Sequence, residues 1–333
     1  MKFASEQERA TATPGSDFAA VAAPFRTELL AHCYRLAGSV HDAEDLVQET
    51  YLRAWRGYGQ FEGRSSVRRW LYTIATRTCL SALQTRPRRP LPSGLGAPAD
   101  DHGVAVPGRD LSVPWLEPVP DALSSADPAA VVASRAGVRL AFIAALQYLP
   151  ARQRAVLTLR DVLAFPAAEV AGMLGTSPAA VDSALRRARA RLAAISPAED
   201  DLTEPSDPGQ RDLLDRYVDA FTRADAAALV ALLRADAELE MPPIPLWFTG
   251  RAAVTGFLAR RVMRPGRWHL VPARANTQPA VLAYLRTADG RREPYGVQVL
   301  TVTGSRIARI TSFNDPALVP LFTGTAATPG PLP

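Results

Sequence analysis

Apolar residues recur at helical spacing from the first ordered-looking segment. Phe18, Val21, Phe25, Leu29, Leu30, Cys33 and Leu36 lie on one stripe that ends at Gly38, which predicts an amphipathic helix opened by Ser16 or Asp17. A second helix is predicted from His41–Asp42 to about Arg56, and a third from Ser66 to Leu83. The period then lapses across 86–133, where nine prolines stand, as expected of an extended linker. Helical spacing returns over 134–196. From Gln210 the pattern changes once more: helices are predicted at Asp212–Arg223, Ala226–Leu233 and Arg251–Arg261. Strand-like runs follow at Trp268–Ala275, Ala280–Arg286, Gly296–Thr303 and Ile307–Phe313. Turn signals at Ala288-Asp289-Gly290 and Thr303-Gly304-Ser305 separate the last three into an antiparallel meander.

The implied organisation is a helical domain at 15–85, a Pro-rich linker at 86–133 and a second helical domain at 134–196. An acidic linker at 197–209, an α+β domain at 210–323 and a flexible tail at 324–333 complete it. The fold class is thus mostly α in the N-terminal two thirds, as two small helical domains, plus a C-terminal α+β domain.

Composition narrows the function classes. A chain of 333 residues with 47% hydrophobic residues is globular and long enough for several cores. The N-terminus MKFASEQERATATPG is polar, and the apolar run from Val131 to Leu146 is broken by Arg135 and Arg139. No signal peptide or membrane span is therefore expected, and a cytoplasmic location is. Cys33 and Cys79 stand on separate helical segments with no CxxC or His/Cys cluster. They read as small buried hydrophobes, with no metal site, disulfide or cofactor expected. The net charge is +5, and Lys2 is the only lysine among 38 basic residues. Such an arginine bias suits phosphate and guanine edges, although GC-rich codons explain it equally well. Position is more informative: Arg186, Arg187, Arg189 and Arg191 cluster around the single acid Asp182, whereas 197–209 carries five acids and no base.

The most specific local signal runs from Phe165 to Arg189. A short helix ends at Gly175, Ser177 is placed as an N-cap and Pro178 at the first helical position. Val170, Leu174, Val181 and Leu185 supply contacts between two helices. Ser177, Ala179, Asp182, Ser183, Arg186 and Arg187 remain on an outer face that fits a major groove. This is a helix–turn–helix. A structural hairpin with a solvated basic face is the blander alternative, and most repressors share the motif, so another feature must decide the class.

That feature lies upstream. In Asp42-Ala43-Glu44-Asp45-Leu46-Val47-Gln48-Glu49-Thr50-Tyr51, Asp45, Gln48 and Glu49 share one helix face, three and four residues apart. Next, arginines interleave with aromatics through Arg64, Arg68, Arg69, Trp70, Tyr72 and Arg77, a surface suited to a DNA backbone and unstacked bases. Trp70 fits a core as well as it fits a contact. In this order the segments resemble the extracytoplasmic-function group of the sigma-70 family, with region 2 near 16–85 and region 4 near 134–195. The resemblance implies that Asp45, Gln48 and Glu49 dock on the β′ clamp helices of core RNA polymerase, whose β subunit is also a partner. It further implies that the stretch holding Arg64, Arg68, Arg69, Trp70, Tyr72 and Arg77 opens and reads a promoter −10 element. The helix from Ser177 would read the −35 element. Arg77 and Ser81 stand where the family often has Asn and Asp, so no particular −10 sequence is assumed.

Residues 210–323 resemble a SnoaL-like domain of the NTF2-like superfamily, a cone-shaped sheet and helices around an internal cavity. Tyr217, Trp247, His269, Tyr284 and Asn314 are its candidate cavity residues. Trp115-Leu116-Glu117-Pro118 resembles a short linker motif of the sigma subgroup that carries this domain, with Trp115 as a candidate apolar anchor. Relatives of the fold include isomerases and cyclases, but His269 beside Trp268 reads as a strand residue and no acid–base pair is evident. The expectation is therefore not an enzyme. It is an alternative sigma factor that binds core RNA polymerase and promoter DNA and is modulated by its own C-terminal domain, with a small-molecule ligand there left open. Two rivals are a helix–turn–helix regulator acting without polymerase, and a DNA-binding module fused to an isomerase- or cyclase-type domain.

Overall fold

The computed structural model describes residues 14–63, 65–100, 103–124, 138–195 and 207–324. Arg64, the 125–133 part of the linker, most of the acidic segment 197–209 and the tail beyond Gly324 lie outside the described residues. The first helical domain comprises α1 (Pro14–Ala22), α2 (Arg26–Ala37), α3 (Val40–Tyr58) and α4 (Val67–Ala82). Ser39 Oγ accepts the Asp42 N–H at 3.1 Å and Ser66 Oγ accepts the Arg69 N–H at 3.2 Å. Each N-cap starts its helix one or two residues from the position that the hydrophobic spacing predicts.

The second helical domain holds α5 (Leu140–Leu146), α6 (Ala151–Leu157), α7 (Ala167–Leu174) and α8 (Pro178–Ile195). Gly175 has φ 62° and closes α7 in the left-handed conformation, where a Cβ would be strained. Ser177 Oγ accepts the Ala180 N–H at 3.2 Å and starts α8. The helix–turn–helix is formed as its sequence signals require.

The C-terminal domain has α9 (Asp207–Arg223), α10 (Ala226–Leu232), α11 (Arg251–Phe257) and α12 (Val319–Thr323) around six strands. These are β1 (Leu233–Glu240), β2 (Trp247–Thr249), β3 (Trp268–Ala275), β4 (Gln278–Arg286), β5 (Arg292–Thr303) and β6 (Arg306–Phe313). The order across the sheet is β2-β1-β6-β5-β4-β3, with β1 parallel to β6 and every other pair antiparallel. The expected meander is β3 to β6. Strand β1 begins at Leu233, the residue at which the predicted second helix ends. In β5, Gly296 lies so close to β6 that a Cβ there would sit 2.0 Å from the Phe313 carbonyl oxygen.

Strand alternation gives the sheet two apolar faces. Val281, Ala283, Leu300 and Ile310 join α9, α10 and α11 in one core. Ala280, Leu282, Val297, Val299 and Phe313 belong to another, shared with α2, α3, α4 and the helix–turn–helix. The linker residues Leu91, Leu116 and Val119 are part of that shared core. The two helical domains and one face of the C-terminal sheet therefore pack as a single unit.

Candidate nucleic-acid interface

Helix α3 turns its apolar positions Ala43, Leu46, Val47, Thr50 and Tyr51 inward. Asp45 and Gln48 are exposed and Glu49 is half-buried, ion-paired to Arg53 at 2.6 Å. The three residues share one face, as expected. Asp45, Glu49 and Arg53 border a shallow groove of about 270 Å³ with Thr78, Ser81 and Arg86.

The arginine–aromatic helix α4 is placed differently from an open DNA platform. Tyr72 is fully buried, and its hydroxyl donates to Glu28 Oε2 at 3.1 Å. Burial, and then the neighbouring Glu28 charge, push that phenol well above its ordinary pKa. Its ring meets Phe165 edge-on at 5.4 Å. Arg68 binds Glu28 at 2.8 Å and lies over both rings. Arg69 approaches Glu169 at 3.9 Å. Arg77 donates to the Met173 and Gly172 carbonyls at 2.9 and 3.4 Å. Trp70 is half-buried beside Tyr58 and Phe61. Helix α4 thus faces α7, the first helix of the helix–turn–helix; Arg69 and Arg77 reach α7 itself, and Tyr72 packs on Phe165 just before it.

On α8 the outer face is open. Ser177, Ala179, Asp182, Arg186 and Arg187 are exposed, and Ser183 is half-buried. Arg187 donates to Ser183 Oγ at 2.7 Å. Arg189 is turned away into a bidentate pair with Asp161 at 2.7 and 2.9 Å, which keeps it off the groove-facing surface.

The candidate cavity residues of the C-terminal domain do not converge. Tyr217 is buried on the helix-covered face, where its hydroxyl donates to Gln298 at 2.9 Å. Asn314 lies near the β6 end and accepts from Ser312 at 2.9 Å. His269 and Tyr284 are cross-strand partners on the opposite face, the one in register with Leu282 and Val271. Trp247 sits on the edge strand β2 and donates to the Gly96 carbonyl of the linker. Trp115 is buried and donates to the Asp110 carbonyl at 2.7 Å, whereas its neighbours Leu116 and Val119 enter the shared core.

Several decisive residues carry no obvious motif. Asn276 is fully buried at the β3–β4 turn. Its amide donates to Tyr34 Oη at 2.8 Å and the Val138 carbonyl at 2.6 Å, and its oxygen accepts the Val119 N–H at 3.0 Å. One side chain therefore joins the first helical domain, the linker and the approach to the second. Asn276 and Thr277 both have positive φ, 54° and 60°, as a two-residue hairpin turn of the primed type requires; an Asn between two apolar runs is the signal that could have found it. Glu117 accepts from Ser39 at 2.7 Å and pairs with His41 at 3.0 Å. Arg154, buried, donates to the Leu36 carbonyl and to Gln147, and burial holds its pKa down at about 10.

Comparison with known proteins places the chain in a family. Residues 23–89 match Sigma-70 region 2, residues 139–192 match Sigma-70 region 4, and residues 214–310 match the SnoaL-like domain. The chain belongs to the extracytoplasmic-function (ECF) sigma factors, the specificity subunits with which RNA polymerase initiates transcription, and it carries a C-terminal SnoaL-like domain. It is 50% identical over 311 residues to the ECF RNA polymerase sigma factor SigG of Mycobacterium tuberculosis, covering 92% of this chain and 83% of that one. It is 26% identical over 296 residues to the probable ECF sigma factor SigI of the same organism, covering 88% and 91%. The crystal structure of M. tuberculosis SigJ, another ECF sigma factor, superposes with a TM-score of 0.58 at 27% identity, covering 94% of this chain and 99% of that one. Among the described residues no helix is long and apolar enough to cross a membrane.

Proposed function

We propose that the described conformation is the resting form of this sigma factor, held closed by its own C-terminal domain. The observation that carries this is the α4–α7 contact. Side chains assigned by the family resemblance to the −10 element, Tyr72 and Arg77 above all, are engaged by the helix–turn–helix. Unstacked promoter bases and α7 would compete for the same side of α4. In the working form, regions 2 and 4 separate, Asp45, Gln48 and Glu49 dock on the β′ clamp helices, and the α8 face reads the −35 element through Ser177, Ala179, Asp182, Ser183, Arg186 and Arg187.

The sheet face that packs on both helical domains acts as a tethered restraint. Because restraint and target share one chain, the effective concentration is high and modest contacts suffice. The scatter of Tyr217, Trp247, His269, Tyr284 and Asn314 over both faces and an edge of the sheet favours a contact surface over an enzyme or a ligand pocket. Run-off transcription with core polymerase on genomic promoters, comparing the full chain with one ending at Ile195, tests this reading. More transcript per sigma from the shortened chain is expected; equal or lower yield overturns it.

A further inference from the structure

A carboxyl group stands in a row of the sheet that runs into the shared core. Residues paired directly across strands share a face, and the pairs Trp247–Glu240, Glu240–Thr311, Thr311–Val299 and Val299–Ala280 run from β2 to β4. Val299 and Ala280 belong to the core shared with the helical domains, so Glu240 and Thr311 point the same way. Both are fully buried. Glu240 Oε2 accepts the Ser93 N–H at 3.2 Å. Its Oε1 has no hydrogen-bond partner, and the Thr311 hydroxyl has none either. Arg309 Nε stands 3.6 Å from Oε1 but donates to Glu238 Oε2 at 2.6 Å, and Arg309 Nη2 meets that same oxygen at 2.5 Å.

The linker covers this carboxyl. Ser93 lies in the turn Pro92–Gly94, where the Gly94 N–H donates to the Leu91 carbonyl at 2.8 Å. Leu91 is buried in the shared core. A Cβ on Gly94 would come 2.8 Å from the Tyr148 hydroxyl. Arg88 lies over the Tyr148 ring at 4.3 Å and donates to the Gly94 carbonyl at 3.1 Å. The turn is thus wedged between the end of α5 and the sheet. Beyond it, the Gly96 carbonyl accepts from the Trp247 indole at 2.9 Å, and the Ala99 N–H donates to the Trp247 carbonyl at 2.9 Å. Lifting this segment removes the Ser93 donor and gives Glu240 access to water.

The charged groups that face Glu240 are Glu238 on β1 and Arg309 on β6; β2 presents Trp247, the linker presents Ser93, and Arg88 is turned to Tyr148. Burial above all raises the Glu240 pKa over its ordinary 4.5, the Arg309 charge and the Ser93 hydrogen bonds oppose that rise, and the Glu238 charge adds to it. A buried carboxylate whose counter-ion is committed to a neighbour is costly. The neutral acid avoids that cost, and its Oε1 becomes a donor with the Thr311 hydroxyl one strand away. We propose that the Pro92–Gly94 turn and Glu240 form a proton-linked latch: the linker seats on the protonated carboxyl, and ionisation loosens it. The contribution to closure is full below the open-state value of 4.5 and is lost as pH rises through the higher closed-state value. Acid therefore tightens the linker on the sheet, and neutral conditions leave it holding a buried charge. The latch concerns how the linker is seated, whether or not the closed form is the resting one.

The test is amide hydrogen exchange of the full-length protein at Ser93 and Ala99, from about pH 5 to 8, with protection corrected for the intrinsic pH dependence of exchange. Wild-type protection at both amides is expected to fall as pH rises, by at most about tenfold per pH unit for one proton. Glu240→Gln, close in shape to the neutral acid, should hold the acid-side protection across the range. Glu238→Gln, which leaves Arg309 to Glu240 alone, should move the fall to lower pH. Protection that does not change with pH in the wild type overturns the proposal. So does a fall of wild-type size in Glu240→Gln, which would assign the pH response to His41 at the linker's other anchorage. Weaker protection in Glu240→Gln than in the wild type at every pH also overturns it, because the ionised carboxylate would then be the form that holds the linker.

Discussion

Replacing Asn276 by Gly should open the molecule. Glycine keeps the backbone at φ 54° without strain, so the substitution removes only the side chain and its three hydrogen bonds, to Val119, Tyr34 and Val138. Tyr34 retains the Glu117 carbonyl as an acceptor at 2.8 Å, but the Val119 amide and Val138 carbonyl lose this partner in a buried junction. Hydrogen bonds worth about 1 kcal/mol each, with up to about 1–3 kcal/mol for a polar group left dry, give a total of about 2–4 kcal/mol after water entry. At 1.4 kcal/mol per tenfold, the ratio of closed to open molecules falls by about 30- to 700-fold. Amide hydrogen exchange reads the effect where it is diagnostic. The Ala99 and Asp110 amides bond to the Trp247 and Pro243 carbonyls at 2.9 and 2.8 Å, linker contacts in which Asn276 takes no part. Faster exchange at both, together with a higher run-off yield, is expected if the junction opens cooperatively. Acceleration confined to Val119, with Ala99, Asp110 and transcription unchanged, would refute the reasoning.

Two further outcomes follow from the same surfaces. The Glu117 hydrogen bond raises the His41 pKa above 6.5 against the opposing effect of burial, so its contribution is full below 6.5 and lost as pH rises through the folded value. Burial pushes Glu117 up, but hydrogen bonds from His41 and Ser39 outweigh it and lower the pKa below 4.5; that contribution is full above 4.5 and lost as pH falls through the folded value. The stability advantage of wild type over His41→Gln, measured as a difference in thermal midpoint, should therefore shrink as pH rises above 6.5, and a constant difference contradicts it. Separately, Asp45→Arg combined with Glu49→Arg should abolish co-purification with core polymerase while leaving the thermal midpoint nearly unchanged, since the solvent-accessible Glu49–Arg53 pair contributes at most about 1 kcal/mol; retained binding contradicts the assignment.

What the sequence made legible was local. Gly175, Ser177 and Pro178 specify the helix–turn–helix because caps act within one turn of chain, and α3 and α4 start at Ser caps for the same reason. The apolar stripe of α4 was equally plain, but periodicity says that a face is buried and not what buries it. Hence Tyr72, grouped with base-contacting aromatics, lies in a core against Phe165. The candidate cavity failed to assemble for a related reason. Residue parity sorts strand positions into two faces, but it does not say which face a helix such as α9, with Tyr217, covers. Tyr217 lies on one face of the sheet and the cross-strand pair His269 and Tyr284 on the other. Trp115 drew notice by size, yet the smaller Leu116 and Val119 enter the shared core, because the strand-like path from Trp115 to Pro120 ends in a bridge between Pro120 and Ala275.

The Pro-rich segment after region 2 was expected to be a spacer, and its described part is also a clamp. Proline brings no N–H to satisfy and little chain entropy to lose, so such a segment can lie against other surfaces at small cost. It does so on α3 above all. Arg86 and Arg89 reach Asp42 at 2.8 and 2.5 Å, and Glu117 holds Ser39 and His41. These attachments occupy the first turn of the helix whose next turns present Asp45, Gln48 and Glu49, and Arg86 itself borders the groove beside Asp45 and Glu49. A polymerase surface that docks on Asp45 and Glu49 would therefore meet the linker at its anchorage. Where docking displaces the linker, loosening Arg86, Arg89 or Glu117 is expected to raise polymerase affinity by the same factor by which polymerase loosens them.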